Sequence, residues 1–250
     1  MAIIQVDNLT VGFDRPILEN ISFSVEPGEI FIILGGSGCG KSTLLRHLIG
    51  LQEPMSGSIT IDGQPLTGAD ESQRETILSQ IGVAFQGGAL FGSMTLLENV
   101  ALPLEEFSSL PKPAVRWIAE SKLRQVGLDG YQTHLPAQLS GGMQKRAALA
   151  RAMAMDPKIL FLDEPSAGLD PITAAQLDEL IVHLSKALGI TFVIVTHELA
   201  SVFTLNGRII MLDKQAKGII AQGSAEQLRS DRSNPAVWRF FNRSLEELKK

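Results

Sequence analysis

The chain is short of cysteine, of basic surplus and of long hydrophobic runs, and each shortage removes a class of protein. Cys39 is the only cysteine. It cannot form an internal disulfide, so a disulfide-stapled secreted scaffold is excluded and a reducing compartment fits. Lys and Arg number 22 against 27 Asp and Glu, a net charge of -5, and the basic residues are scattered. With a sequence pI near 5.4 there is no electrostatic footprint for nucleic acid, which needs clustered Lys and Arg against phosphates. Apolar runs such as Ile30 to Leu34 and Phe192 to Val195 are about five residues long, whereas a membrane span needs roughly 20. Met1 to Val11 has no basic region followed by an apolar stretch, so no signal peptide is expected. Internal repeats and low-complexity tracts are also lacking.

What remains is a chain of 250 residues, 44% hydrophobic and 20% charged. That describes a packed globule able to stabilise one large α/β domain over 1–250 without disulfides or metals. Ile3 to Leu9 and Ile17 to Val25 alternate apolar and polar residues around an Asp14-Arg15-Pro16 turn, which predicts an antiparallel edge layer. Ile30 to Leu34 reads as a buried parallel strand feeding a Gly-rich loop, with a helix from Lys41 to about Gly50. Ile159 to Leu162 and Thr191 to Thr196 read as buried strands separated by a helix over Pro171 to Leu188, a βαβ rhythm. Between Thr95 and Gly127 the pattern turns helical, broken by Pro103, Pro111 and Pro113, and predicts an inserted helical subdomain over about 87–155. Over about 234–250, Trp238, Phe240, Phe241, Leu245 and Leu248 recur at near-helical spacing, an apolar face that must pack on the same or a partner protomer.

Gly35-Gly36-Ser37-Gly38-Cys39-Gly40-Lys41-Ser42 fits G-x-x-x-x-G-K-[ST] after an apolar strand and before a helix, with Thr43 next in line. Glycines let backbone N–H groups wrap phosphates, and the helix dipole adds positive potential there. Lys41 is placed to reach the β and γ phosphates, and the Ser42 hydroxyl to ligate Mg²⁺. Four specified positions arise by chance in a chain of this length roughly one time in a hundred, and the strand and helix context makes accident rarer still. Asp163 and Glu164 stand at the carboxyl end of the strand Ile159 to Leu162, the edge where open α/β sheets bind ligands. Asp163 can hold Mg²⁺ through water, and Glu164 can polarise an attacking water as general base.

Leu139-Ser140-Gly141-Gly142-Met143, followed by the basic helix from Gln144 to Ala154, resembles the signature sequence of ATP-binding-cassette (ABC) ATPases. The resemblance covers essentially the whole chain and implies the ABC ATPase fold: a P-loop core with a mainly parallel sheet, an antiparallel β edge layer and an inserted helical subdomain. It implies that Ser140, Gly141 and Gly142 of one protomer meet ATP held by the other, so that the ATPase works as a homodimer. Met143 stands where the family most often has Gln, which leaves the backbone contacts intact. Gln86 in Val83-Ala84-Phe85-Gln86 looks like the family's Q-loop residue, near Mg²⁺ and a membrane partner. Ser166 to Asp170 resembles the loop that crosses the dimer interface, with Asp170 contributing in trans. His197 looks like the switch histidine at the γ-phosphate, and Phe13 sits where the family keeps an aromatic that stacks on adenine.

Phe85 to Thr95, leading into Glu98-Asn99-Val100 and Pro103-Leu104, with Pro171-Ile172-Thr173, resembles the ATPases of the Mla and Mce lipid transporters. That subgroup often has Phe-Val-Gly-Gln-Asp where this chain has Ser166-Ala167-Gly168-Leu169-Asp170. The resemblance implies ATP and Mg²⁺ as cofactors and a peripheral position on the cytoplasmic face of a bacterial inner membrane. It further implies an integral permease of the MlaE kind, a lipid-binding Mce-domain protein of the MlaD kind and a small accessory subunit. The motor of a polar-nutrient importer, such as one for amino acids, and a soluble ABC ATPase for iron–sulfur assembly stay open as alternatives.

Overall fold

The computed structural model describes residues 1–242. Ten strands, nine α-helices and one short 3-10 turn, Pro136–Gln138, follow one another among these residues. The alternating segments at the start form β1 (Ile4–Gly12) and β2 (Pro16–Val25), paired antiparallel as expected, with register shifts that bend the ribbon. β4 (Ser56–Ile61) adds to the other side of β1, and the two-residue β5 (Gln64–Pro65) completes a sheet of order β2-β1-β4-β5.

The main sheet has the order β10-β9-β3-β8-β7-β6. Its strands are β3 (Ile30–Gly35), β6 (Ile81–Ala84), β7 (Ile159–Asp163), β8 (Thr191–Thr196), β9 (Arg208–Asp213) and β10 (Gly218–Gly223). All pairings are parallel except β9 with β10, which closes one edge. The uniformly apolar sequences of β3, β7 and β8 follow from burial on both faces. Ile32, Leu34, Leu160, Leu162, Phe192 and Ile194 enter one core, and their neighbours Phe31, Ile33, Phe161, Val193 and Val195 enter the other. The first core is covered by helices, the second by α1 (Lys41–Leu48) and the antiparallel sheet.

The helices on the first face are α3 (Leu96–Phe107), α4 (Lys112–Gln125), α5 (Gly141–Ala152), α6 (Pro171–Leu188) and α7 (Leu199–Leu205). α2 (Glu71–Leu78) precedes β6, and Gly82 of β6 lies so near α5 that a Cβ there would stand 2.1 Å from the Ala152 carbonyl oxygen. One expectation needs correction. Pro103 does not break its helix: α3 runs through it, capped by Thr95 and Glu98. The hydrogen bond lost at proline is outweighed by burial of Val100 and Leu104 on either side. Pro111 precedes α4 as its N-cap and Pro113 lies in its first turn, where proline is tolerated.

After α8 (Ala225–Ser230), the tail forms α9 (Pro235–Asn242). Val237 and Phe241 are buried in the chain's own core, with Phe241 edge-on to Phe203 and Phe240. Its described part thus packs as a C-terminal core helix, while Leu245 and Leu248 lie outside the described residues.

A candidate nucleotide site at the carboxyl edge of the sheet

Parallel register brings distant residues of the sequence to one edge. Leu34 pairs with Thr196, Asp163 with Val195, and Ala84 with Leu162. The residues just beyond these strand ends are the Gly-rich loop, Glu164, His197 and Gln86. Four segments chosen from sequence alone therefore meet where α/β sheets take ligands.

The loop between β3 and α1 is shaped by contacts a side chain would spoil. Gly35 backs onto Cys39 Sγ and the Leu212 carbonyl, each 2.6 Å from where its Cβ would stand, and Gly38 and Gly40 have φ of 74° and 102°. The Lys41 ammonium is curled back over the loop, donating to the Gly35 and Gly36 carbonyl oxygens at 2.9 and 3.2 Å. Gly36, Ser37, Gly38 and Ser42 are exposed, Thr43 is half-buried, and α1 has no acidic residue in its first turn and no side-chain cap. Its amino end thus offers unpaired N–H groups and one cation to an anion. The Cys39 thiol faces inward, and burial pushes its pKa up. Gly40 is also where Ile17 and Leu18 of β2 abut the loop, which brings the β1–β2 turn alongside. In that turn Phe13 is 56% exposed, so it is not a core residue and its ring is free to stack.

Opposite the loop stand the carboxylates. Glu164 is 8% exposed with φ +48°, an unusual conformation held by its N–H to the Val195 carbonyl at 2.9 Å. Its Oε1 lies 2.7 Å from His197 Nδ1, and its buried Oε2 has no partner. Burial, with the Glu164 charge beside it, pushes the Asp163 carboxyl above the ordinary range, while Lys41, Arg46 and Lys145 pull it back. Asp163 Oδ1 is likewise buried and unpartnered. A buried carboxylate oxygen with no partner and, at the start of α1, an exposed Ser42 hydroxyl are both hard oxygen donors of the kind a divalent cation takes. Among the described residues no cluster of three or more His, Cys, Asp or Glu could hold a metal by itself.

Lys145 was not singled out in the sequence. It reaches from α5 to the Gln86 carbonyl oxygen and, at 3.5 Å, to that of Glu164, tying the Gln86 loop to the carboxylate loop. Its burial lowers its pKa, opposed by Asp163, Glu164 and Glu198. A lysine at the fifth position of a basic helix carries no sequence signal of this role.

The second Gly-rich turn opens α5. Ser140 Oγ caps the helix by accepting from the Met143 N–H at 3.3 Å, Gly141 is exposed, and a Cβ on buried Gly142 would stand 2.4 Å from Thr173 Cγ2. Met143 packs its side chain against the first core. Asp170 caps α6, accepting from the Ile172 and Thr173 N–H groups, both at 3.1 Å. Ser140 makes no hydrogen bond to the chain's own phosphate loop among the described residues.

A parallel sheet with a phosphate loop, a carboxylate pair and a histidine at one edge defines an ATPase of the P-loop class. Residues 18–167 match the ABC transporter family. The chain belongs to that family. It is 41% identical over 241 residues to the intermembrane phospholipid transport system ATP-binding protein MlaF of Escherichia coli (strain K12), covering 95% of this chain and 88% of that one. It is 40% identical over 240 residues to a probable ribonucleotide transport ATP-binding protein, mkl, of Mycobacterium tuberculosis (strain ATCC 25618 / H37Rv), covering 96% of this chain and 66% of that one. Among solved structures, cbiO1 from Clostridium perfringens, part of an ABC transporter complex, superposes with a TM-score of 0.84 at 29% identity over 99% of this chain and 97% of its own. A dimeric ATP-binding cassette in a post-hydrolysis state with ADP and Pi superposes with a TM-score of 0.78 at 32% identity, over 88% and 98%.

Proposed function

We propose that this chain is the ATP-hydrolysing subunit of a membrane ABC transporter that moves phospholipid or another hydrophobic cargo across a bacterial envelope. The observation that carries the reading is the Glu164–His197 pair at the same sheet edge as the phosphate loop, in a chain 41% identical to MlaF over 88% of MlaF's length. Lys41 and the loop N–H groups from Gly36 to Thr43 hold the phosphates, and Phe13 stacks on the base. Ser42, Asp163 and Gln86 hold Mg²⁺, which neutralises charge on the phosphate oxygens when bound. Glu164 takes a proton from the attacking water through its unpartnered Oε2, while His197 holds Oε1 and thereby the carboxylate's orientation.

Two copies close around two ATP, with Ser140, Gly141, Gly142 and Asp170 of each facing the phosphate loop of the other. The dimeric cassette among the structural relatives supports this arrangement. Residues 87–155 act as the helical subdomain. Between them and the core runs an apolar cleft of about 590 Å³ lined by Leu78, Val83, Pro103, Phe107 and Met155, with Phe107 79% exposed. We assign it to a helix of an MlaE-like permease, which holds the ATPase at the inner face of the membrane, with an MlaD-like protein carrying lipid beyond. No described helix is long and apolar enough to cross a membrane.

The test is a pull-down of the tagged full-length chain from gently solubilised native membranes, with partners identified by mass spectrometry. Recovery of a polytopic permease with an Mce-domain protein is expected. A permease with a polar-solute-binding protein, or recovery from cytosol alone, overturns the lipid reading.

A further inference from the structure

Beneath the Glu164–His197 pair lies a buried polar chain with no part in holding nucleotide. Asp178 on α6 is 1% exposed, and its Oδ1 has no partner. The Ser201 hydroxyl on α7 lies near enough to the Asp178 carboxylate to hold its pKa down. Ser201 Oγ lies 3.1 Å from Ser166 Oγ, and Ser166 Oγ lies 3.5 Å from Glu198 Oε2. Both serines are buried. Ser166 follows Glu164 by two residues and Glu198 follows His197 directly, so the chain joins the loop bearing the base to the segment bearing the histidine.

Counting hydrogens gives the chain a requirement. It has two hydrogen bonds, Ser201 to Ser166 and Ser166 to Glu198, and one further approach, Asp178 to Ser201, and each of the three needs one hydrogen. The serines supply two. With both carboxylates ionised, one link sets lone pair against lone pair; with one carboxylate protonated, all three close. Burial and the Glu198 charge push Asp178 up to about 6, against the Ser201 hydroxyl, so Asp178 is the group that holds the extra proton. Glu198 is the charge acting on Asp178, and Lys145 of α5 acts on Glu198 in turn. An apolar residue at this helix position would cost less to bury, so packing alone does not account for an acid here.

We propose that Asp178 is a positioning residue for ATP hydrolysis, which through Ser201 and Ser166 fixes the Glu164 loop against the His197 segment, with one shared proton completing the chain. The inference rests on the reading of Glu164 and His197 given above. It is tested on the full-length chain purified with its permease, by steady-state ATP hydrolysis between about pH 5.5 and pH 8. At about pH 5.5, where the chain is closed, Asp178→Val and Ser201→Ala are each expected to lower kcat roughly tenfold while leaving KM for ATP within twofold, as loss of an orienting partner does. Asp178→Asn supplies the third hydrogen permanently from its amide. Its kcat should match the parent at low pH and exceed it several-fold above pH 6. Parent-like kcat in both Asp178→Val and Ser201→Ala, or an Asn-to-Asp ratio that stays flat with pH, overturns the proposal. Ser201→Ala keeps the test open should Asp178→Val not fold. Glu164→Gln separates the two readings. If it hydrolyses ATP normally, the base assignment fails; if it is inactive while the Asp178 and Ser201 variants behave as the parent, only the positioning role fails.

Discussion

Asp178 also makes a prediction about stability that needs no nucleotide. Its carboxyl is pushed up from 3.8 to about 6 in the folded chain. A folded-state pKa raised above the unfolded value means that the folded chain binds more protons between the two. The resulting stabilisation is fully present below pH 3.8 and is lost as pH rises through 6. Over the whole window it amounts to about 3 kcal/mol at 1.36 kcal/mol per pH unit, and between pH 4.5 and pH 7.5 to about 2 kcal/mol. Asp178→Asn cannot titrate at this position. Urea unfolding of parent and variant at the two pH values should show the parent losing about 2 kcal/mol more than the variant on going to pH 7.5. Comparing the two proteins cancels the other carboxylates, which titrate in both. Equal losses in parent and variant would refute the reasoning, because they would mean that Asp178 is ionised in the folded chain at both pH values.

Two predictions concern the nucleotide directly. Lys41→Ala removes the cation held over the phosphate loop by the Gly35 and Gly36 carbonyls; ATP affinity measured by calorimetry should fall at least roughly tenfold, the scale of one charge-assisted contact. Glu164→Gln should keep ATP binding, trap the closed dimer on a sizing column, and lower hydrolysis by roughly 10² to 10⁴, the range for loss of a general base.

Much of the site was legible because its chemistry is local in sequence. The phosphate loop needs glycines, a lysine and a hydroxyl within eight positions, and the buried strands β3, β7 and β8 announce themselves as short unbroken apolar runs. Their shared edge follows once they are taken as parallel. What stayed hidden depends on contacts across the chain. Nothing in the neighbourhood of Glu164 signals a positive φ at a non-glycine residue. Asp178 reads as one more polar position on a long helix until the fold sets Ser201 and Glu198 against it. Pro103 looked like a breaker because local propensity counts the lost hydrogen bond and not the core beneath it. The strands β9 and β10 went unread, since no ligand-bearing motif drew attention to Arg208–Asp213 or Gly218–Gly223.

Ser140 separates the stability of one protomer from the assembly of two. As the cap of α5 its oxygen uses a lone pair to accept from the Met143 N–H, which leaves the O–H free to donate. That hydrogen is what a γ-phosphate from the partner would take. Aspartate caps a helix as well as serine does, and its charge suits a helix amino end, so Ser140→Asp should leave protomer stability unchanged or slightly higher. Ser140→Ala loses the cap and about 1 kcal/mol. At the dimer interface the order reverses. Alanine removes one hydrogen bond to the phosphate, whereas aspartate sets a carboxylate against it, a juxtaposition that costs several kcal/mol. Placed in a Glu164→Gln background with MgATP and followed on a sizing column, Ser140→Asp should remain monomeric while Ser140→Ala still dimerises in part. A Ser140→Asp chain that dimerises as well as its parent would mean that the turn at 140–142 does not face a phosphate in the assembled ATPase.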